Sequence, residues 1–204
     1  MNFSSKAIAG AILALTFLTG AAAGASSVNL SNPAFAPAGA QTSVPIGAAE
    51  FCKVNRQDCG PANGPQIESL SEAGWQQLIA INDLVNTSVT PVSDQELYNV
   101  NEFWTYPNGS GDCEDFALEK RRQLIAHGWS PSALMMAVVR QQNGEGHAVL
   151  MVRTDRGDLV LDNQDGRVLV WKDTPYEYVK RQSQADPRKW VGINDTRVIV
   201  ASAR

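Results

Sequence analysis

The chain has 204 residues, of which 44% are hydrophobic and 19% are charged, a composition typical of a globular protein of about one domain. Its formal net charge is −4 at pH 7, and the basic residues form no cluster along the sequence. The charge therefore argues against a nucleic acid as partner and against electrostatic binding to an anionic lipid surface.

The N-terminal segment has the three parts of a secretory signal peptide. Lys6 precedes an apolar run at residues 7–18, and small residues follow, with an A-x-A pattern at positions 23–25. The run is too short for a typical membrane-spanning helix, although an uncleaved anchor is the alternative. We therefore expect residues 1–25 to be a signal peptide and the mature chain to be exported without a membrane span.

Residues 26–50 are rich in Ser, Ala, Pro and Gly. Pro33, Pro37 and Pro45 interrupt any periodic pattern in this segment. We interpret it as a flexible or extended arm that precedes a domain spanning residues 51–204. The sequence leaves open whether the arm packs on the domain.

The first strong helix signal begins with Ser69 and Glu72, which form a capping-box pattern. Apolar residues then recur at helical spacing, and Pro91 bounds the helix. A second capping-box pattern, Ser93 with Glu96, predicts a short helix.

Another strong helix is predicted over residues 112–127, with Asp112 as its N-cap and Gly128 just past its end. The remainder reads as strands separated by polar or glycine-containing turns. The predicted strands cover residues 134–140, 147–153, 158–163, 167–171 and 197–201. Helices followed by mostly antiparallel strands indicate an α+β fold.

The chain has three cysteines, Cys52, Cys59 and Cys113. An oxidising compartment favours disulfides, and the first two cysteines lie close together in a stretch with little predicted regular structure. We therefore predict a local disulfide between Cys52 and Cys59. This pairing leaves Cys113 as an odd thiol, which is either reactive or paired with another molecule.

Cys113 is predicted to occupy the first helical position after Asp112. Free N–H groups and the helix dipole favour a thiolate there, and the same N–H groups can stabilise an oxyanion.

A thiolate nucleophile needs a basic partner. Of the two histidines, His127 lies at the far end of the same helix, about four turns away. His147 opens an apolar strand after a glycine-containing turn, so it is the candidate general base.

An acidic residue should orient this imidazole. The turn at residues 154–157 folds the next strand back, which places Asp162 roughly opposite residues 147–149. We therefore predict Asp162 as the third member of a Cys-His-Asp set, with Asp165 as the alternative.

Three segments carry a family resemblance. Residues 111–120 read GDCEDFALEK, residues 146–150 read GHAVL, and residues 159–163 read LVLDN. In this order they resemble the nucleophile, histidine and aspartate motifs of the bacterial transglutaminase-like cysteine peptidases, a family that includes the LapG-type periplasmic adhesin proteases. The resemblance covers about residues 50–195.

The resemblance implies a papain-like α+β core, in which a nucleophile helix packs on an antiparallel sheet, and a catalytic triad of Cys113, His147 and Asp162. We expect an exported, periplasmic cysteine endopeptidase that forms an acyl-enzyme and needs no cofactor for its chemistry. The resemblance implies a protein substrate, with a surface adhesin as the candidate, and leaves room for a regulatory partner. A transglutaminase-type acyl transferase and a non-catalytic binding module are the alternatives.

Asp112, Glu114 and Asp115 surround Cys113 with negative charge, which opposes formation of a thiolate. A divalent cation would relieve this conflict, and calcium prefers oxygen ligands. We therefore hypothesise a calcium site at Asp112 and Glu114, which match positions implicated in the LapG-type enzymes. Ordinary acidity at the start of a helix is the alternative explanation.

Overall fold

The computed structural model describes residues 28–197. The predicted signal peptide, and all but the first residue of the strand predicted at 197–201, lie outside the described residues. Within this range, helices and antiparallel strands combine in an α+β arrangement, which confirms the predicted class. None of the helices described is long and apolar enough to cross a membrane.

Four α-helices and nine strands lie between residues 28 and 197. The helices are α1 (Ile46–Val54), α2 (Glu72–Ser88), α3 (Asp94–Tyr98) and α4 (Cys113–Ala126). The strands are β1 (Ala38–Thr42), β2 (Thr90–Pro91), β3 (Ser110–Gly111), β4 (Leu134–Arg140), β5 (Gly146–Thr154), β6 (Gly157–Leu161), β7 (Leu169–Val170), β8 (Glu177–Gln182) and β9 (Trp190–Ile193).

Seven of the described strands form one antiparallel sheet in the order β1-β9-β8-β4-β5-β6-β7, while β2 and β3 form a short parallel pair. The central strands β4, β5 and β6 are almost entirely buried, so they carry continuous apolar runs rather than an alternating pattern. Helix α4 packs against β5 and β4, and α2 packs against α4. The first turn of α4 therefore lies against the central strands.

The hairpin predicted at residues 154–157 joins β5 to β6, with Thr154 paired to Gly157. Gly157 has a φ of +107°, and a Cβ there would lie 2.6 Å from the carbonyl oxygen of Ala34. A glycine is therefore needed at this turn. The turn sets the register of β6 and so determines where the chain emerges after Leu161.

The segment predicted as an arm, residues 26–50, belongs to the domain wherever the structure describes it. Strand β1 pairs with β9 at one edge of the sheet, and α1 begins at Ile46. The boundary predicted at residue 51 falls inside α1, which spans Ile46–Val54. An edge strand held by backbone hydrogen bonds needs no apolar alternation, and Pro45 is the N-cap of α1, where its missing N–H costs no helical bond.

Helix α2 begins later than the predicted capping box. Ser71 is the N-cap, and its Oγ accepts a hydrogen bond of 3.1 Å from the N–H of Gly74, whereas Ser69 lies outside the helix. Ser71, two residues further along the chain, thus supplies the cap that was expected from Ser69. The second predicted capping box, Ser93 with Glu96, is confirmed at the start of α3.

Strands β8 and β9 were not predicted, and the strand predicted at 167–171 is shortened to β7 because Trp171 begins a 3₁₀ turn. Strand β8 ends with Arg181 and Gln182, which are buried polar residues. Tyr178 is the third buried residue of β8, so two of its three buried side chains are polar and the strand shows no hydrophobic pattern. This explains the omission of β8.

The predicted disulfide is confirmed. Cys52 of α1 and Cys59, the last residue of a 3₁₀ turn, form a bridge with Cα atoms 5.5 Å apart. The stretch around them is therefore more regular than expected. Cys113 is the free cysteine.

Candidate active site

Helix α4 presents Cys113 at its first position, with Asp112 as the N-cap, as predicted. The side chain of Asp112 makes no capping hydrogen bond to this helix. A Cβ on Gly111 would lie 2.6 Å from Oδ2 of Asp115, so the chain that leads into α4 passes very close to its first turn. Gly111 thus allows the tight approach that places the thiol.

Strand β5 carries His147 as its second residue, and Asp162 follows the last residue of β6. Nε2 of His147 lies 2.8 Å from Oδ1 of Asp162, and both residues are 3% exposed. Asp165, the alternative, instead pairs with the exposed Arg167. The structure therefore brings His147 together with Asp162, in the register that the hairpin predicted.

Two further donors hold the carboxylate of Asp162. The hydroxyl of Tyr176 donates to Oδ2, and the N–H of Gln164 donates to Oδ1 at 3.0 Å. Burial opposes ionisation of Asp162, but its hydrogen bonds, above all the one with His147, outweigh burial and lower its pKa. Tyr176 was missed by the sequence analysis, since it follows a turn and no motif marks it.

The thiol of Cys113 lies beside the histidine strand. The N–H of Ala148, the residue after His147, donates to Sγ of Cys113 at 3.4 Å. Strand β6 ends at Leu161, opposite Leu150. The residues of β5 before Leu150 therefore extend beyond the end of β6, toward the start of α4. The N–H group that binds the thiol and the imidazole side chain therefore belong to adjacent residues of β5, Ala148 and His147.

The thiol also donates to Oε2 of Glu114, at 3.1 Å. Burial raises the pKa of Cys113, and the charge of Glu114 and of Asp112 raises it further. Burial and the acidic neighbours therefore oppose formation of a thiolate at the start of α4.

Three carboxylates converge at this point. Asp94, Asp112 and Glu114 each offer an oxygen within 4.8 Å of the others. Asp94 is the first residue of α3, and its N–H donates to Oδ2 of Asp112 at 3.3 Å. The sequence analysis missed Asp94, because nothing in the pattern of α3 links it to a residue 18 positions later.

The three carboxylates fit a cation. Oδ1 of Asp94 and Oδ1 of Asp112 are buried and have no hydrogen-bond partner among the described residues. Burial raises the pKa of Asp94 to about 6 and, with the charge of Asp112, raises the pKa of Glu114 to about 9. Calcium prefers oxygen ligands such as these carboxylates, and its binding would displace the proton that the raised pKa of Glu114 retains at neutral pH.

A cysteine at a helix N-terminus, beside a buried histidine–aspartate pair on an antiparallel sheet, is the arrangement of a cysteine peptidase. The family model of the bacterial transglutaminase-like cysteine proteinases, BTLCP, matches residues 38–198. The chain belongs to this family and is a cysteine peptidase.

Solved structures of LapG from Legionella pneumophila are similar to this chain. The calcium-bound form has a TM-score of 0.51 at 19% identity, over 78% of this chain and 94% of that one. A second LapG structure gives 0.46 at 20% identity over 68% and 85%, and the EGTA-treated form gives 0.49 at 19% over 76% and 90%. The first likeness supports the predicted transglutaminase-like fold. A comparison with curated protein sequences gives no significant match.

Proposed function

We propose that this chain is a Cys-His-Asp endopeptidase in which Cys113 is the nucleophile, His147 the general base and acid, and Asp162 the group that orients the imidazole. The observation that carries the proposal is the buried 2.8 Å contact between Nε2 of His147 and Oδ1 of Asp162. This contact leaves Nδ1 of the imidazole for the thiol. Among the residues that the structure describes, Nδ1 has one hydrogen-bond contact, a long one of 3.4 Å with the amide nitrogen of Gln164, which a thiol can replace.

In the first half-reaction, Nδ1 of His147 takes the proton of Cys113 while Sγ attacks the carbonyl carbon of the scissile peptide bond. The imidazolium then donates this proton to the departing amine as the C–N bond breaks, leaving a thioester on Cys113. In the second half-reaction, the imidazole deprotonates a water molecule that attacks the thioester. The products are a carboxylic acid and the restored thiol, so each cleavage consumes one water.

The start of α4 supplies a donor for the oxyanion. The first N–H groups of a helix have no intrahelical acceptor. In α4 the N–H of Phe116 donates to the carbonyl of Asp112 at 3.2 Å, so the N–H of Cys113 lies before the helical bonds begin. A backbone donor on the nucleophile itself is well placed to stabilise negative charge on the attacked carbonyl oxygen.

We also infer that Asp94, Asp112 and Glu114 hold a calcium ion. Asp94 extends the pair hypothesised from the sequence, and the two unpartnered carboxylate oxygens support the set. A bound calcium ion would supply positive charge beside the nucleophile. As a ligand, Glu114 would no longer be the acceptor for the thiol of Cys113, which could then give its proton to His147.

We propose that the substrate is a polypeptide in the periplasm or on the cell surface. The signal-peptide pattern of residues 1–25 supports export. The disulfide between Cys52 and Cys59 suits an oxidising compartment. The resemblance to LapG-type proteases makes a surface adhesin the candidate substrate and a regulatory protein the candidate partner.

The test incubates residues 26–204 with a peptide library at about 1 mM calcium and identifies new N-termini by amine labelling and mass spectrometry. We expect cleavage by the natural chain and none by Cys113→Ser or His147→Ala. Asp162→Asn should lose about 10³- to 10⁴-fold in kcat, whereas the matched variant Asp165→Asn should retain normal activity. Cleavage by Cys113→Ser at the normal rate would refute the proposal. Products joined to an added amine, without new N-termini, would identify an acyl transferase.

The calcium site is tested by calorimetric titration of calcium into chelator-treated protein. Asp94→Asn and Glu114→Gln should each weaken binding about tenfold or more, while Asp173→Asn, which removes an exposed carboxylate, should not. Unchanged affinity in Asp94→Asn would exclude Asp94 from the site. Absence of binding by the natural chain at millimolar calcium would exclude the site itself.

A further inference from the structure

Exposed apolar side chains are concentrated on α3 and the loop that follows it. Four of the ten exposed large hydrophobic residues in the described part of the chain fall within seven positions: Leu97, Tyr98, Val100 and Phe103. The rings of Tyr98 and Phe103 are in contact, with centroids 4.8 Å apart and an angle of 64° between their planes. Two partly exposed rings at this angle form an apolar corner, and exposed apolar surface gathered at one place is typical of a binding site.

Hydrogen bonds fasten this segment to the first turn of the nucleophile helix. At its start, the N–H of Asp94 donates to Oδ2 of Asp112 at 3.3 Å. Just past its end, the N–H of Thr105 donates to Oδ1 of Asp115 at 2.8 Å. The apolar corner therefore belongs to a segment that is tied on both sides to residues flanking Cys113.

A short series of contacts also connects Phe103 with the thiol. The N–H of Phe103 donates to the carboxylate of Asp94. Carboxylate oxygens of Asp94 and Glu114 lie within 4.8 Å of each other, and Oε2 of Glu114 lies 3.1 Å from Sγ of Cys113. An extended peptide advances about 3.3 Å per residue, so a few residues of substrate span the interval between the thiol and Phe103.

The residue after Phe103 holds this loop in the core. Trp104 is buried and packs edge to face on Trp190 of β9, with ring centroids 6.1 Å apart. Its ring also leaves no room for a Cβ on Gly47 of α1. Phe103 is thus presented from a fixed backbone, which lowers the ordering cost of binding a ligand.

We propose that Tyr98 and Phe103 form a specificity site of the peptidase, which binds a large apolar side chain of the substrate polypeptide a few residues from the scissile bond. The inference rests on the proposed function of Cys113. The occupant is the substrate because the segment is tied to the nucleophile helix itself, within a few residues' length of the thiol. Contact with the two rings removes apolar surface from water without involving the reacting atoms. The rings should therefore lower KM rather than raise kcat.

The experiment combines two enzymes with two substrates. A peptide library cleaved by the natural chain at about 1 mM calcium should show a preference for a large apolar residue at one position near the scissile bond. A matched pair of peptides then carries Leu or Ala at that position. We expect Phe103→Ala to cleave the Leu peptide with kcat/KM lower by about tenfold, through a higher KM, and to cleave the Ala peptide at the natural rate.

Two variants identify the part of the corner that acts. Tyr98→Ala should lose preference for the Leu peptide as Phe103→Ala does, whereas Tyr98→Phe, which keeps the ring, should retain it. The matched control is Phe35→Ala, which removes a ring of the same exposure, 44%, from a distant part of the sequence. This control should discriminate between the two peptides as the natural chain does.

A binding measurement needs no cleavage. Peptides from the same library that immobilised Cys113→Ser retains should be enriched in large apolar residues, and the enrichment should disappear in Cys113→Ser/Phe103→Ala. Enrichment without any cleavage by the natural chain would refute the proposed catalysis while supporting the binding site. Equal discrimination between the Leu and Ala peptides by the natural chain and folded Phe103→Ala would overturn the inference. A dimer of the natural chain in sedimentation that becomes a monomer in Phe103→Ala would also overturn it, because a second copy would then cover the surface.

Discussion

The hydroxyl of Tyr176 donates to Oδ2 of Asp162, while His147 contacts Oδ1 of the same carboxylate. The ring of Tyr176 also packs near the imidazole, with centroids 5.4 Å apart. Burial and the charge of Asp162 raise the pKa of Tyr176, so its hydroxyl stays a donor throughout the neutral range. One tyrosine therefore restrains both members of the histidine–aspartate pair.

Tyr176→Phe should keep the ring and remove the hydrogen bond. We expect the free energy of unfolding at pH 7 to fall by about 1.5–3 kcal/mol, as for a bond to a charged group. Peptidase kcat/KM should fall about tenfold, because Asp162 would hold the imidazole less firmly. Denaturant unfolding and steady-state kinetics measure the two effects.

The stability loss in Tyr176→Phe should depend on pH. The folded-state pKa of Asp162 is lowered, so its ionisation stabilises the fold above the unfolded value of about 3.9 and this contribution disappears as pH falls through the folded pKa. The difference between the natural chain and the variant should therefore shrink as unfolding is measured from pH 7 toward pH 3. A difference that stays constant with pH would mean that Tyr176 contributes by packing alone.

Gly111→Ala should disturb the start of the nucleophile helix. The added Cβ would meet Oδ2 of Asp115 at 2.6 Å and its Cβ at 2.7 Å, so backbone must shift at the residue before Asp112. We expect a loss of about 1–3 kcal/mol of stability together with slower alkylation of Cys113 by iodoacetamide. The control is Gly60→Ala, where an added Cβ meets nothing within 4 Å. Equal behaviour of the two variants would show that this close approach is unimportant.

Removal of the disulfide should cost stability and spare the site. The double variant Cys52→Ser/Cys59→Ser opens a loop of sequence separation 7, for which the chain-entropy estimate is about 2–3 kcal/mol. Because the bridge links α1 to the following 3₁₀ turn, we expect normal kcat at temperatures where the variant is folded. Loss of activity in a folded double variant would contradict this separation.

A chain that begins at residue 43 should be much less stable than residues 26–204. It lacks β1 and also the N–H of Ala36, which donates to Oδ2 of the buried Asp158 at 2.7 Å. It also lacks the carbonyl of Ala34, which accepts from the N–H of Asp158 at 2.9 Å. Calorimetry should show a thermal midpoint lower by about 10 °C or more. Equal midpoints for the two chains would restore the interpretation of this segment as an arm.

Local patterns were sufficient to predict the helix that carries Cys113 and the strands on either side of the 154–157 turn. A hairpin has a short connection, so its register follows from the turn, and this is why the sequence alone could match Asp162 with His147. The disulfide was predicted for the same reason, since its two cysteines are close in sequence.

Contacts between distant segments could not be predicted in this way. Asp94 joins Asp112 through the packing of α3 against the start of α4, and Tyr176 reaches Asp162 from a turn beyond β7. The raised pKa of Cys113 depends on burial, which a helix-start argument does not contain.

The pairing of β1 with β9 also bears on how the domain folds. Gln41 lies opposite Val191, 150 positions later in the chain, so the contact that closes this edge has one of the longest sequence separations in the domain. Closing a loop of that length costs more chain entropy than forming the β5–β6 hairpin, and contacts of this kind slow folding. Until the first strand docks, β9 presents open backbone groups, which are a template for pairing with another chain. In the interval between synthesis of β9 and docking of β1, this edge of the sheet is therefore open to misassembly.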